Sequence, residues 1–382
     1  MVASDRLKKV ADSLSSNPIS ASVLPDTMSS RVQVPDRLPW DPSCTRFPSR
    51  KELPTLTGAP EGAAWVWGED DSLGRLNLLT PERVKAAAAE IQTGEMVRLD
   101  LPLNVPETPA FGREAFQHKI KLLVEGVAYD DTYTLNTQSD RSSHISILKP
   151  STMAYVSPAP PSLRQSHPNE TQTKPSDIVG ENANLRCSIH HWAVHGIAGR
   201  GILLDYRHYA NIHNIDYDPY TAHPISFDDL KACATYQGID LRPESQGGDI
   251  KVGDILMVRS GFVERYDQLT PAERKAAAER AHDDIQWAGL KQEEAVKDWL
   301  HDCYFAAVAG DSPTFECWPP VDGNYMHQSI LALWGMPLGE MWDLEKLAIK
   351  CRERKKWTFF MTSAPANVAG GVGSHANATA IL

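Results

Sequence analysis

The alternation of apolar and polar positions divides the chain near residue 60. Residues 1–60 hold Pro18, Pro25, Pro35, Pro39, Pro42, Pro48 and Pro54 among many serines, with few apolar periods. That composition predicts disorder over 1–35 and an extended arm laid on the body over 36–60. Ordered patterning begins at Trp65. Thr80-Pro81-Glu82 signals a helix start, with a cap, a proline at the first position and an acid in the first turn; the helix is expected to continue to Ile91 and stop near Gly94. Residues 97–103 and 119–123 alternate as strands do. A short buried strand is expected over 202–206. A helix follows over 226–237, capped by Ser226 and Asp229 and ended by Gly238. A strand is predicted over 255–259. A capping box at Thr270 and Glu273 opens a helix to about Ala281, and another helix covers 292–301. A strand over 305–310 closes at Asp311, and 357–361 reads as the last clear strand. Helices alternating with strands buried on both sides predict an α/β fold in one domain, residues 61–382, without an internal repeat.

Two stretches break this rhythm. Residues 149–186 are rich in Pro, Ser, Thr and Gln and keep no period, which predicts an irregular insert or a lid far longer than the roughly 4–6 residues usual between elements. Residues 326–341, MHQSILALWGMPLGEM, place His327 at the head of an apolar run and Glu340 just past a Gly-Met-Pro turn. One helix-length excursion there returns an imidazole and a carboxylate to a common spot, as two metal ligands or as a base and its orienter. A capped surface helix with both side chains in water would carry the same spacing.

Composition narrows the function classes. The 382 residues, 42% hydrophobic, can bury a large core, while a net charge of -11 disfavours nucleic acid or an anionic membrane as partner. No apolar run reaches membrane-spanning length and the N-terminus lacks an apolar signal core, so a cytoplasmic protein is expected. The six cysteines are scattered with no CxxC pair, as reduced thiols would be. The chain has no Gly-x-Ser-x-Gly elbow, no phosphate-binding Gly-rich loop and no His-Glu-x-x-His. The remaining candidates are Asp140 with His144 four residues on, His190-His191-Trp192, Asp311 at a strand end, and His327 with Glu340. His191, Trp192 and Asp311 are read as substrate contacts; His190-His191 can also be a metal pair, although a histidine packed on a tryptophan is more common, and turn capping accounts for Asp311 equally well.

Longer segments resemble a known family. Trp65-Val-Trp-Gly-Glu-Asp-Asp, Leu73 to Arg83, Ile189-His-His-Trp-Ala-Val-His-Gly-Ile, Gly199-Arg-Gly-Ile-Leu-Leu-Asp205, Ala306-Ala-Val-Ala-Gly-Asp311 and the run from His327 to Glu340 are similar to the cyclase family that includes bacterial kynurenine formamidase, most of all to its fungal branch. The resemblance implies a swivelling β/β/α fold, often dimeric, with a divalent metal such as zinc or manganese. It implies Gln138, Asp140, His327 and Glu340 as metal ligands and His144 as the general acid/base, with Glu340 also at the chemistry. Two positions where the family carries metal histidines fall on Thr134 and Gln138, which implies at most one metal. The retained carboxylates and imidazole suit Zn²⁺ or Mn²⁺. The implied activity is hydrolysis or ring closure at an amide, lactone or related acyl bond of a small aromatic or polyketide-like molecule of secondary metabolism. A silent accessory protein with this fold, and a metal-free dehydratase or isomerase using His144 and Glu340, are the alternatives.

Overall fold

The computed structural model describes residues 41, 44, 47–53, 66–67, 71–125, 127–137, 142–144 (as backbone), 180–185, 188–320 and 325–382. Residues Pro39–Leu382 form one compact unit. Most of the predicted arm, and of the 149–186 insert, lies outside the described residues.

The described strands, in chain order, are β1 (Met96–Arg98), β2 (Gln117–Val124), β3 (Ala128–Thr134), β4 (Ser142–His144), β5 (Ile197–Leu204), β6 (Pro224–Ile225), β7 (Ile255–Val258), β8 (Gly289–Leu290), β9 (Ala307–Gly310), β10 (Leu338–Gly339), β11 (Thr358–Ser363), β12 (Gly373–His375) and β13 (Ala378–Ile381). Among the described residues nine of them make one sheet in the order β1-β13-β11-β5-β7-β9-β10-β4-β12. Its centre, β5 to β10, is parallel, and both flanks are antiparallel. The centre is apolar on both faces because successive side chains leave a strand on opposite sides. Leu203, Ile255 and Met257 enter one core with Trp192, Leu347 and Phe359. Their neighbours Ile202, Leu204, Leu256 and Val258 enter the other with Leu230, Trp299 and Leu300. Helices cover both faces, and the fold is a mixed α/β single domain.

Local signals set most helix ends. Ser226 and Asp229 form a reciprocal capping box on helix Phe227–Gln237, which Gly238 ends in the left-handed conformation. Thr270 and Glu273 do the same for helix Pro271–Ala278, three residues shorter than expected. The Thr80 hydroxyl accepts the Arg83 amide to cap helix Pro81–Ala87, which then tightens into a 3-10 turn, Ala88–Glu90. The strand over 357–361 is not the last: β12 and β13 follow, and β13 joins β1 to the sheet. Residues 47–53 lie against helix Glu294–Asp302. There the Arg50 backbone donates to Asp302 at 2.7 Å, its side chain pairs with Asp298 and Glu294, and Phe47 stacks on Tyr304 with centroids 4.5 Å apart.

Just past the ends of β5 and β7 a largely buried charge cluster ties these strands to helices Phe262–Gln268 and Glu345–Arg354. The Arg259 guanidinium donates to Asp205 at 2.8 Å and to Glu264 and Glu345 at 2.5 Å each, and Arg352 bonds the second oxygen of Asp205. Burial opposes the charge on Arg259, but the carboxylates around it outweigh that and push its pKa up. The five described cysteines are unpaired thiols. No helix among the described residues is long and apolar enough to cross a membrane.

Candidate functional site

The site forms where β10 leaves the sheet. The 326–341 stretch does not make the regular helix that its apolar run suggested. Residues Gln328–Leu333 take a π-helical turn, ended by the Trp334 amide on the Ser329 carbonyl at 3.0 Å. Such widened turns accompany functional sites in many proteins. Gly335, at a φ of 58°, reverses the chain into β10. Gly74 presses against this reversal: a Cβ there would stand 2.2 Å from the Gly335 carbonyl oxygen, so only glycine allows the two backbones to touch.

This path puts His327 and Glu340 in contact, with His327 Nε2 3.0 Å from Glu340 Oε1. Glu340 is 2% exposed, and the same oxygen accepts the Phe315 amide at 2.9 Å. The other ring nitrogen, Nδ1, bonds Glu316 Oε1. Burial works against the imidazolium, but the Glu340 and Glu316 carboxylates at the two ring nitrogens outweigh it and hold the His327 pKa well above its ordinary value. The imidazole keeps 19% of its side-chain surface exposed, so it borders solvent while both carboxylates are buried.

β4 brings the upstream stretch to the same place. His144 lies opposite Leu338, and Ser143 opposite Gly339, one residue short of Glu340. On its far side His144 faces Gly373 of β12. Gln138 and Asp140 lie outside the described residues. Thr134, where the family would carry a metal histidine, ends β3 on an exposed ribbon opposite Gln117.

Three expected substrate contacts have other work. Trp192 is fully buried in the core. His191 stacks on His190 with centroids 4.0 Å apart, and its Nε2 meets the Leu185 carbonyl at 2.7 Å. Asp311 is fully buried and accepts the Ser260 amide at 2.6 Å, the Ser260 hydroxyl at 2.8 Å and the Gly261 amide at 2.8 Å. It ties the end of β9 to the turn after β7. Burial raises its pKa against the opposing pull of Arg259 and these donors.

Glu316 is the residue the sequence reading passed over. It is 0% exposed, yet it sits between Phe315 and Cys317, residues that bury with it. A lone carboxylate in an apolar run is the available signal, because a buried charge survives only when paired.

Among the described residues no three His, Cys, Asp or Glu side chains form a group able to hold a metal. The described residues nevertheless supply two compatible donors on one edge, an imidazole nitrogen and a carboxylate oxygen, of the kinds zinc and manganese take. They fit as part of a ligand set.

No family model matches the sequence, and no curated protein matches it. Solved structures do. A cyclase aligns with a TM-score of 0.65 at 23% identity, over 83% of this chain and 98% of its own. Isatin hydrolase A from Ralstonia solanacearum aligns with a TM-score of 0.48 at 13% identity, over 79% and 97%. An isatin hydrolase bound to the product analogue thioisatinate gives 0.47 at 11%, over 80% and 97%. This chain shares the fold of that solved cyclase.

Proposed function

We propose that the chain is a metal-dependent hydrolase or cyclase acting on an acyl bond, an amide or lactone, of a small aromatic or polyketide-like molecule. The observation that carries this reading is the meeting of His327 with Glu340 at the end of β10, the strand whose Leu338 pairs with His144 of β4. The likeness in fold to a solved cyclase supports it. His327 and Glu340 would hold the ion, with Asp140 and Gln138 as further ligands. When bound, a divalent ion polarises an acyl carbonyl and lowers the pKa of water toward about 7.

The chain's own residues would do the rest. Glu340, fixed by the Phe315 amide, cannot swing away from the imidazole. The buried carboxylates and the apolar π-helical turn keep bulk water from that side, which strengthens each polar contact. His144, an imidazole able both to take and to give a proton, is proposed to carry the proton to the leaving atom.

Protein purified without chelator is expected to carry a stoichiometric divalent metal, measured by elemental analysis, and to lose turnover of acyl substrates on chelation and regain it on resupply. A chain that carries no metal and takes none up on dialysis overturns the proposal.

A further inference from the structure

Three donors of one turn converge on a single buried carboxylate. Glu316 Oε2 accepts the Met326 amide at 2.6 Å, and Oε1 accepts the His327 amide at 3.0 Å together with the His327 ring Nδ1. Both oxygens of Glu316 thus serve two consecutive residues. A carboxylate used this way fixes where the imidazole stands, how its ring is turned and which nitrogen keeps its hydrogen. With Nδ1 held to Glu316, Nε2 is the ring nitrogen turned to Glu340 Oε1 at 3.0 Å, and a divalent cation bound by both would replace the proton between them.

We infer that Glu316 is a positioning residue that commits His327, through Nε2, to a divalent cation shared with Glu340. This rests on the metal-dependent reading above. Replacement by glutamine keeps the size but turns one acceptor into a donor aimed at a backbone amide or at Nδ1. Glu316→Gln is therefore expected to weaken Zn²⁺ or Mn²⁺ binding by about 10–100-fold in calorimetric titration of metal-stripped protein. Glu316→Asp, which keeps the charge, should recover part of the affinity. Cadmium-loaded wild-type protein supplies a readout that needs no variant: imidazole nitrogen NMR should show His327 Nε2 coupled to the metal and Nδ1 protonated. Unchanged affinity in a folded Glu316→Gln protein, or cadmium on Nδ1, overturns the inference while wild-type metal binding still stands. Failure of wild-type protein to bind metal removes the underlying reading and the inference with it.

Discussion

His327→Ala is expected to abolish metal retention and turnover together. The imidazole is the one nitrogen donor in the described site, and it touches both Glu316 and Glu340. Its loss removes a proposed ligand and leaves two buried carboxylates without the group between them. The fall in metal affinity should exceed the roughly 10–100-fold that follows loss of a merely supporting residue. His144→Ala makes the contrast: the proposed proton carrier is not a ligand, so metal content should persist while turnover drops by about 10²–10⁴. Elemental analysis and steady-state rates on the two variants separate ligand from acid/base. Metal retained at wild-type level in His327→Ala would remove that histidine from the ligand set. A metal-free acid/base enzyme would ignore chelators and still lose activity in His144→Ala.

Asp311→Ala is expected to give a large loss of stability with little change in KM for the protein that stays folded. Its carboxylate accepts two amides and a hydroxyl, all buried, where β9 meets the turn after β7. Each donor left unpaired costs about 1–3 kcal/mol, so the sum is on the order of 4 kcal/mol. A urea titration followed by tryptophan fluorescence measures it as a lower midpoint at unchanged slope. A variant of wild-type stability with a raised KM would return Asp311 to the substrate, the role the strand-end position suggested.

What could be read without a structure was whatever lies within a few residues of itself. The capping boxes at Ser226 with Asp229 and at Thr270 with Glu273 were legible because donor and acceptor sit three apart and need no other element. The doubly apolar runs of β5, β7 and β9 were legible because only a strand covered on both faces has that composition. His327 and Glu340 stood out through a spacing, but not through their contact. That contact depends on the π-helical turn and the Gly335 reversal, which Gly74, far back in the chain, makes room for.

Pairing across the sheet was beyond any local signal. Nothing near residue 144 says that it will lie opposite Leu338, because a strand chooses its neighbours by the packing of the whole sheet. The same holds for Glu316, whose charge is tolerable in the core only because the fold delivers two amides and an imidazole to it. Trp192, Asp311 and His191 show the converse, since residue type made each a candidate for chemistry and the tertiary structure assigned the first to the core, the second to a buried turn and the third to a backbone carbonyl. The sequence by itself determined the class of fold, the caps and the chemistry available to the chain. Tertiary structure decided which of those groups meet, because burial and hydrogen bonding across distant segments set the environment that turns a residue type into a role.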